Sequence, residues 1–219
     1  MPLDPTLIRL LMHLRQNGIT DKNVLAAIER VPRELFVPES FQDQAYEDIA
    51  LPIGFGQTIS QPTVVGFMSE RLMPSKNAKV LEVGTGSGYQ AAILSKLFRR
   101  VYTIERHRDL LKSAEQKFKD LRLNNIVPLW ADGMMGWPEQ STFDRIILTA
   151  GLEMIPSVLF EQLAIGGYLI APVGKPGSDQ KLLRFKKDEI GISSEELWPV
   201  RFVPVLGGTV NDPDQQTVP

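Results

Sequence analysis

Apolar residues recur at helical spacing from the first turns of the chain. Leu7, Leu10, Leu11 and Leu14 predict an amphipathic helix stopped by Asn17-Gly18. Thr20 is the expected N-cap of a second helix, whose apolar face is Val24, Leu25, Ile28 and Val31. Prolines punctuate residues 31–38, a segment expected to wrap the core. Residues 46–61 show little regular pattern but hold Gly54, Gly56, Thr58 and Ser60, as a functional loop would. Ser60 then reads as the N-cap of a third helix, with Pro62 in its first turn and Val64, Val65, Met68 and Leu72 buried.

From Lys79 the period changes. Short apolar strands at 79–83, 101–105, 126–130, 144–149 and 168–173 alternate with helical stretches, one beginning at Gln90 and one over 157–164 stopped by Gly166-Gly167. Residues 181–187 alternate like a more exposed antiparallel strand. Residues 198–206 read as a final strand that Pro199 and Pro204 confine to an edge or a bulge. The pattern predicts a single α/β domain with a doubly wound, mostly parallel sheet. It places a helical extension and loop over 1–75, the core over 76–176, antiparallel strands over 177–206 and a mobile polar tail over 207–219.

The chemistry concentrates at the ends of the first strands. Lys79-Val80-Leu81-Glu82-Val83-Gly84-Thr85-Gly86-Ser87-Gly88-Tyr89 is strand, acid, glycine turn, and then helix. That is how open α/β sheets present a nucleotide-like cofactor. A dinucleotide fingerprint would need a glycine at position 89, where Tyr89 stands, and no lysine is present in the turn to hold a phosphate. Glu82 would repel a pyrophosphate. It suits a ligand carrying an ammonium and a sulfonium, which is S-adenosylmethionine. Glu105 ends the next strand, about 20 residues beyond the turn, where such domains place the carboxylate that grips ribose hydroxyls. Asp132-Gly133 ends the third and offers an acceptor for an adenine amino group.

Composition narrows the function. The chain of 219 residues is long enough for a sizeable core. A net charge of −2 argues against a dedicated nucleic-acid binder. With no cysteine there is no disulfide, thiolate metal site or cysteine nucleophile. His13 and His107 lack metal-ligand spacing, and His107 reads as an exposed loop residue near the cofactor edge. No signal peptide or membrane-spanning run is visible, so a cytoplasmic protein with no membrane partner is expected.

Several motifs carry a more specific likeness over residues 20–206. They are Arg30-Val31-Pro32-Arg33 with Phe36-Val37-Pro38, Ala50-Leu51-Pro52-Ile53-Gly54, Gln57-Thr58-Ile59-Ser60-Gln61-Pro62, the glycine turn, Tyr102-Thr103-Ile104-Glu105-Arg106, Gly136-Trp137-Pro138-Glu139, and Val200-Arg201-Phe202-Val203-Pro204. In these the chain resembles the bacterial protein-L-isoaspartate (D-aspartate) O-methyltransferases, which have a Rossmann-like class I methyltransferase fold. The resemblance implies a protein repair enzyme. It would transfer a methyl group from S-adenosylmethionine to the free carboxylate of L-isoaspartyl and D-aspartyl residues in damaged proteins and peptides, acting as a monomer. It implies Ser60 as the active-site serine, with Thr58, Ile59 and Val203 lining the peptide site. The expected cofactor residues are Glu82, Gly84, Thr85, Gly86, Ser87, Gly88, Glu105, Arg106, Asp132, Gly133 and Thr149. Two positions depart from the family pattern. Ala131 replaces a glycine before Asp132, and Gly151 replaces an alanine after Thr149-Ala150, where it is expected to loosen a loop beside the cofactor.

Two other readings stand beside this one. A different S-adenosylmethionine-dependent methyltransferase would act on a small molecule or RNA. A non-catalytic cofactor-binding module would turn over no isoaspartyl peptide.

Overall fold

The computed structural model describes residues 4–175 and 179–211. Its centre is a seven-stranded sheet of β3 (Lys79–Val83), β4 (Arg100–Glu105), β5 (Ile126–Trp130), β6 (Phe143–Leu148), β7 (Leu163–Val173), β8 (Gln180–Asp188) and β9 (Gly191–Val200). The order across the sheet is β5-β4-β3-β6-β7-β8-β9. Strands β3 to β7 are mutually parallel, and β8 and β9 join antiparallel. Alternate residues face opposite layers. Val80, Val101, Ile147 and Ile170 pack with Leu14, Ile28, Met68 and Ile93 of the helices on one face. Leu81, Val83, Ile146 and Leu169 pack with Leu152, Ile155 and Leu159 on the other. With both faces covered, these strands are nearly unbroken apolar runs.

The helices are α1 (Pro5–Gln16), α2 (Lys22–Arg30), α3 (Pro62–Arg71), α4 (Tyr89–Ser95), α5 (Arg108–Asp120) and α6 (Ser157–Glu161). Helix α1 buries Leu7, Leu10, Leu11 and Leu14, as its period predicts. Because β4 and β6 flank β3, the chain winds away from β3 in both directions. A crevice opens at the carboxyl ends of these three strands, the usual ligand position in open α/β sheets.

Several sequence expectations need correction. The cap of α2 is Asp21, whose carboxylate accepts from the amides of Asn23 and Val24, while Thr20 gives its amide to Glu70. Residues 46–61 hold a hairpin of β1 (Leu51–Gly54) and β2 (Gln57–Ile59), strands too short to show alternation. Helix α6 stops at Glu161 because β7 already begins at Leu163, opposite Phe143. The last strand occupies Gly191–Val200, displaced from 198–206, and it is both an edge and bulged between its pairings to Leu182 and Leu183. Its outer half is Ser193, Ser194, Glu195 and Glu196, which no apolar pattern marks. The start of the tail is tied down. The Gly208 amide donates to Asp132 and the Val210 amide to the Arg106 carbonyl. Residues 212–219, and the boundary drawn at 176–177, lie outside the described residues.

Candidate active site

The glycine turn is fixed from both sides. Thr149, just past β6, donates its hydroxyl to the carbonyls of Val83 at 3.0 Å and Gly84 at 2.6 Å. Gly84 has φ +101°, and a Cβ there would run into that hydroxyl, so the position needs glycine. On the other side Glu105 is only 6% exposed. Its Oε2 accepts from the Gly86 amide at 2.8 Å and its Oε1 from the His107 amide at 2.9 Å. These bonds aim a carboxylate with spare lone pairs at the cleft.

The cleft is walled by Gly84, Thr85, Gly86, Ser87 and Glu105, by Thr149 and Ala150, and by Thr58, Ile59, Ser60 and Val203. Thr58, Ser60, Thr149 and Val203 also border a basin of about 470 Å³ beyond it, whose far wall includes Trp198 and Phe202. On the opposite side Arg106 and Gly133 line a third recess with Val83, Ile104, Pro204 and Val205. His107 lines it too. It is half-buried, contrary to the expected exposed loop position, and burial lowers its pKa. The crevice thus joins an apolar slot, a carboxylate-bearing middle and a wide basin.

Three of the expected residues stand outside these walls. Gly88 opens α4 and backs onto Phe118. Asp132 spends Oδ1 on the Met134 amide and Oδ2 on the Gly208 amide. Glu82 lies wholly buried beneath the turn. Its Oε2 accepts from the Thr103 hydroxyl at 2.5 Å, and Thr103 in turn meets the Thr85 hydroxyl at 2.6 Å.

Burial pushes the Glu82 pKa up to about 8. Between the ordinary carboxylate pKa and about 8, the folded protein keeps a proton that the unfolded chain releases. Stability therefore falls as pH rises through this window, by at most about 1.4 kcal/mol per pH unit. Glu82→Gln is expected to remove that slope. Urea midpoints of both proteins at pH 5 and pH 8 measure it, and equal slopes would place the proton elsewhere.

Ser60 does not cap α3. The cap is Gln61, with no side-chain cap bond. Asp48 supplies the acceptor from a distance, taking the Thr63 amide at 2.8 Å and the Thr63 hydroxyl at 2.7 Å. Ser60 is left at the junction of cleft and basin, with its hydroxyl uncommitted among the described residues.

The sequence model of protein-L-isoaspartate(D-aspartate) O-methyltransferase (PCMT) matches residues 7–210. The chain belongs to this family. A protein-L-isoaspartate O-methyltransferase of Rhodospirillum centenum is 58% identical over 200 residues, which cover 91% of this chain and 90% of that one. A solved protein-L-isoaspartate O-methyltransferase superposes with a TM-score of 0.84 at 30% identity, covering 92% of this chain and 66% of that one. A Plasmodium falciparum protein described as a beta-aspartate methyltransferase (PCMT), solved in complex with S-adenosyl-L-homocysteine, gives 0.79 at 26% identity and covers 90% of this chain and 97% of that one.

Where a loosened loop is expected at Gly151, the loop is held by short backbone bonds. The Gly151 amide donates to Val203 at 2.7 Å, and its carbonyl accepts from Val205 at 2.8 Å. The side chain of Gln180, 1% exposed, packs on its α-carbon. Gln180 also holds the amide of Phe202 at 2.8 Å and its carbonyl at 3.3 Å. A Cβ at position 151 would stand 2.7 Å from the Gln180 Cδ. Gly151→Ala is expected to lower stability by about 1–3 kcal/mol through overpacking, read as a fall in Tm. An unchanged Tm would show that Gln180 moves freely. Gln180 escapes sequence reasoning because nothing local marks a glutamine whose partners lie 22 residues on.

Among the described residues no three His, Cys, Asp or Glu side chains form a metal-binding group, and no helix is long and apolar enough to cross a membrane.

Proposed function

We propose that the crevice on β3, β4 and β6 is where this S-adenosylmethionine-dependent protein repair methyltransferase methylates isoaspartyl carboxylates. The observation that carries this assignment is that Glu105 and the uncommitted Ser60 hydroxyl share one cleft. Glu105 would hold the cofactor by accepting from its ribose hydroxyls. Arg106, His107 and Gly133 would hold its adenine, and the turn from Gly84 to Ser87 would hold its amino-acid arm. Thr149 holds this turn rigid. The turn fits the cofactor, because Gly84 and Gly86, at φ +101° and +52°, present bare backbone to the cleft beside the Glu105 carboxylate.

When bound, S-adenosylmethionine supplies an electrophilic methyl group on a sulfonium. The protein's share is to bind, align and exclude water. The acceptor carboxylate, with an ordinary pKa of about 4, is already ionised at pH 7 and needs no base. Among the described residues Glu105 is the one carboxylate on the cleft wall, and it accepts from two backbone amides. Ser60 donates to the substrate and sets its approach. Charge is neutralised as the bond forms, so a water-poor cleft favours the transition state. Thr58, Ile59 and Val203 flank the extended peptide, whose neighbouring residues enter the basin. We read the protein as a cytoplasmic monomer.

The test is transfer of a labelled methyl group to an isoaspartyl peptide and to its aspartyl twin. The two differ in which carboxyl is free and how far it stands from the backbone. A misplacement of about 1 Å lowers the rate about 10²-fold, so the twin is expected to be nearly unlabelled. Equal labelling would favour a general carboxyl or small-molecule methyltransferase.

A further inference from the structure

Arg33 is the largest fully buried side chain of the described residues, at 0% exposure. It lies in a 3-10 turn, Arg33–Phe36, far along the chain from the cleft. Its Nε donates to the Ala45 carbonyl at 2.9 Å, and its Nη2 to the carbonyls of Ser60 at 2.8 Å and Ile49 at 3.4 Å. All three acceptors belong to the segment that carries the β1–β2 hairpin into the cleft. No carboxylate comes within ion-pair distance of it among the described residues. Its guanidinium carbon stands 4.9 Å from the centre of the Tyr89 ring. Tyr89 follows the glycine turn directly and lines the cleft.

Burying a cation without a counter-charge is expensive, and a well-packed apolar residue would usually be more stable there. A guanidinium offers something else: a rigid planar fork of donors pointing in fixed, divergent directions. Here the fork reaches three carbonyls of one segment while its face rests on an aromatic ring from the cofactor side. Ser60 itself is among the three. With its carbonyl held, the orientation of its peptide plane, and so the position of its hydroxyl, is set relative to the glycine turn. The helix cap does not supply that restraint, since Asp48 bonds to Thr63 and not to Ser60.

We propose that Arg33 is a positioning residue for methyl transfer, acting through Ser60 by locking residues 45–60 to the start of α4. The proposal rests on the reading of Ser60 given above. Lysine keeps the charge and loses the fork, whereas methionine keeps the bulk and loses both.

Arg33→Lys and Arg33→Met are to be compared with the wild type, Ser60→Ala and the double variant Arg33→Lys/Ser60→Ala. Calorimetry with S-adenosylhomocysteine counts folded sites. The expected result is full stoichiometry with affinity within about threefold, and kcat on an isoaspartyl peptide lowered about tenfold or more with a smaller change in KM. The double variant is expected to be no slower than Ser60→Ala alone, because the two residues act as a unit. Wild-type kcat in Arg33→Lys, losses that add in the double variant, or activity that falls only in step with the number of binding sites would each overturn the proposal. Hydrogen exchange provides a readout without turnover. Faster exchange confined to residues 45–61 supports the lock, and unchanged exchange there overturns it. Wild-type protein inactive on the isoaspartyl peptide counts against the assigned reaction alone, since the exchange result still decides whether Arg33 holds the segment.

Discussion

Ser60→Ala is expected to slow methyl transfer to an isoaspartyl peptide about 10²-fold, the loss associated with misplacing a reacting group by about 1 Å. Stability is expected to stay within about 0.5 kcal/mol of wild type, as for substitutions that remove no cap or buried bond. The two halves of this expectation come from the same observation. A serine before Pro62 would ordinarily cap the helix, and its loss would then destabilise the fold. Here Asp48 bonds to the first turn of α3 through Thr63. Among the described residues the hydroxyl of Ser60 therefore has no structural duty, and it stands where cleft and basin meet. Cofactor affinity is expected to be unchanged. Steady-state kinetics and a thermal melt on the same preparation decide the matter, and wild-type turnover would leave Ser60 as a wall residue only.

Glu105→Ala is expected to weaken cofactor binding about 10–150-fold, corresponding to roughly 1.5–3 kcal/mol for hydrogen bonds to a charged group. The proposed ribose contact accounts for part of the loss. The rest follows because Glu105 also receives the amides of Gly86 and His107. Without it the glycine turn and the start of α5 lose their common anchor. Glu105→Gln separates these contributions. It retains one carbonyl oxygen but turns an amino group toward one of the two amides, so its affinity should fall between the others. Titration calorimetry with S-adenosylhomocysteine measures all three, and an unchanged dissociation constant for Glu105→Ala would remove the residue from the binding site.

The core of the crevice was legible because its strands are covered on both faces. Val80, Leu81 and Val83 of β3 form an almost continuous apolar run, and the glycines follow at once. Position at a strand end did not reveal which way a side chain points. Glu82 is followed by Val83, and with sides alternating it faces the layer under the turn, where burial raises its pKa, and not the crevice. Asp132 has the right neighbourhood but is taken up by local and tail amides. The hairpin at residues 51–59 has strands of four and three residues, below the length at which a period shows. Long-range polar contacts were invisible for a different reason. Arg33 meets Ser60 27 residues on, Asp48 meets Thr63 15 on, and Thr20 meets Glu70 50 on. Each pairing becomes defined only after the layers assemble.

The two outer edges of the sheet bear on how such a protein survives its own clients. On the proposed reading the site takes extended peptide segments, and an open strand edge invites such segments to pair with it. Strand β5 carries Pro128 at one margin, and β9 carries Pro199 at the other. Proline offers no amide to a further strand. Strand β9 adds Glu195 and Glu196 and a bulge that breaks its regular spacing. Both margins are thus poor templates for aggregation, and backbone pairing with a client is discouraged along the edges of the sheet.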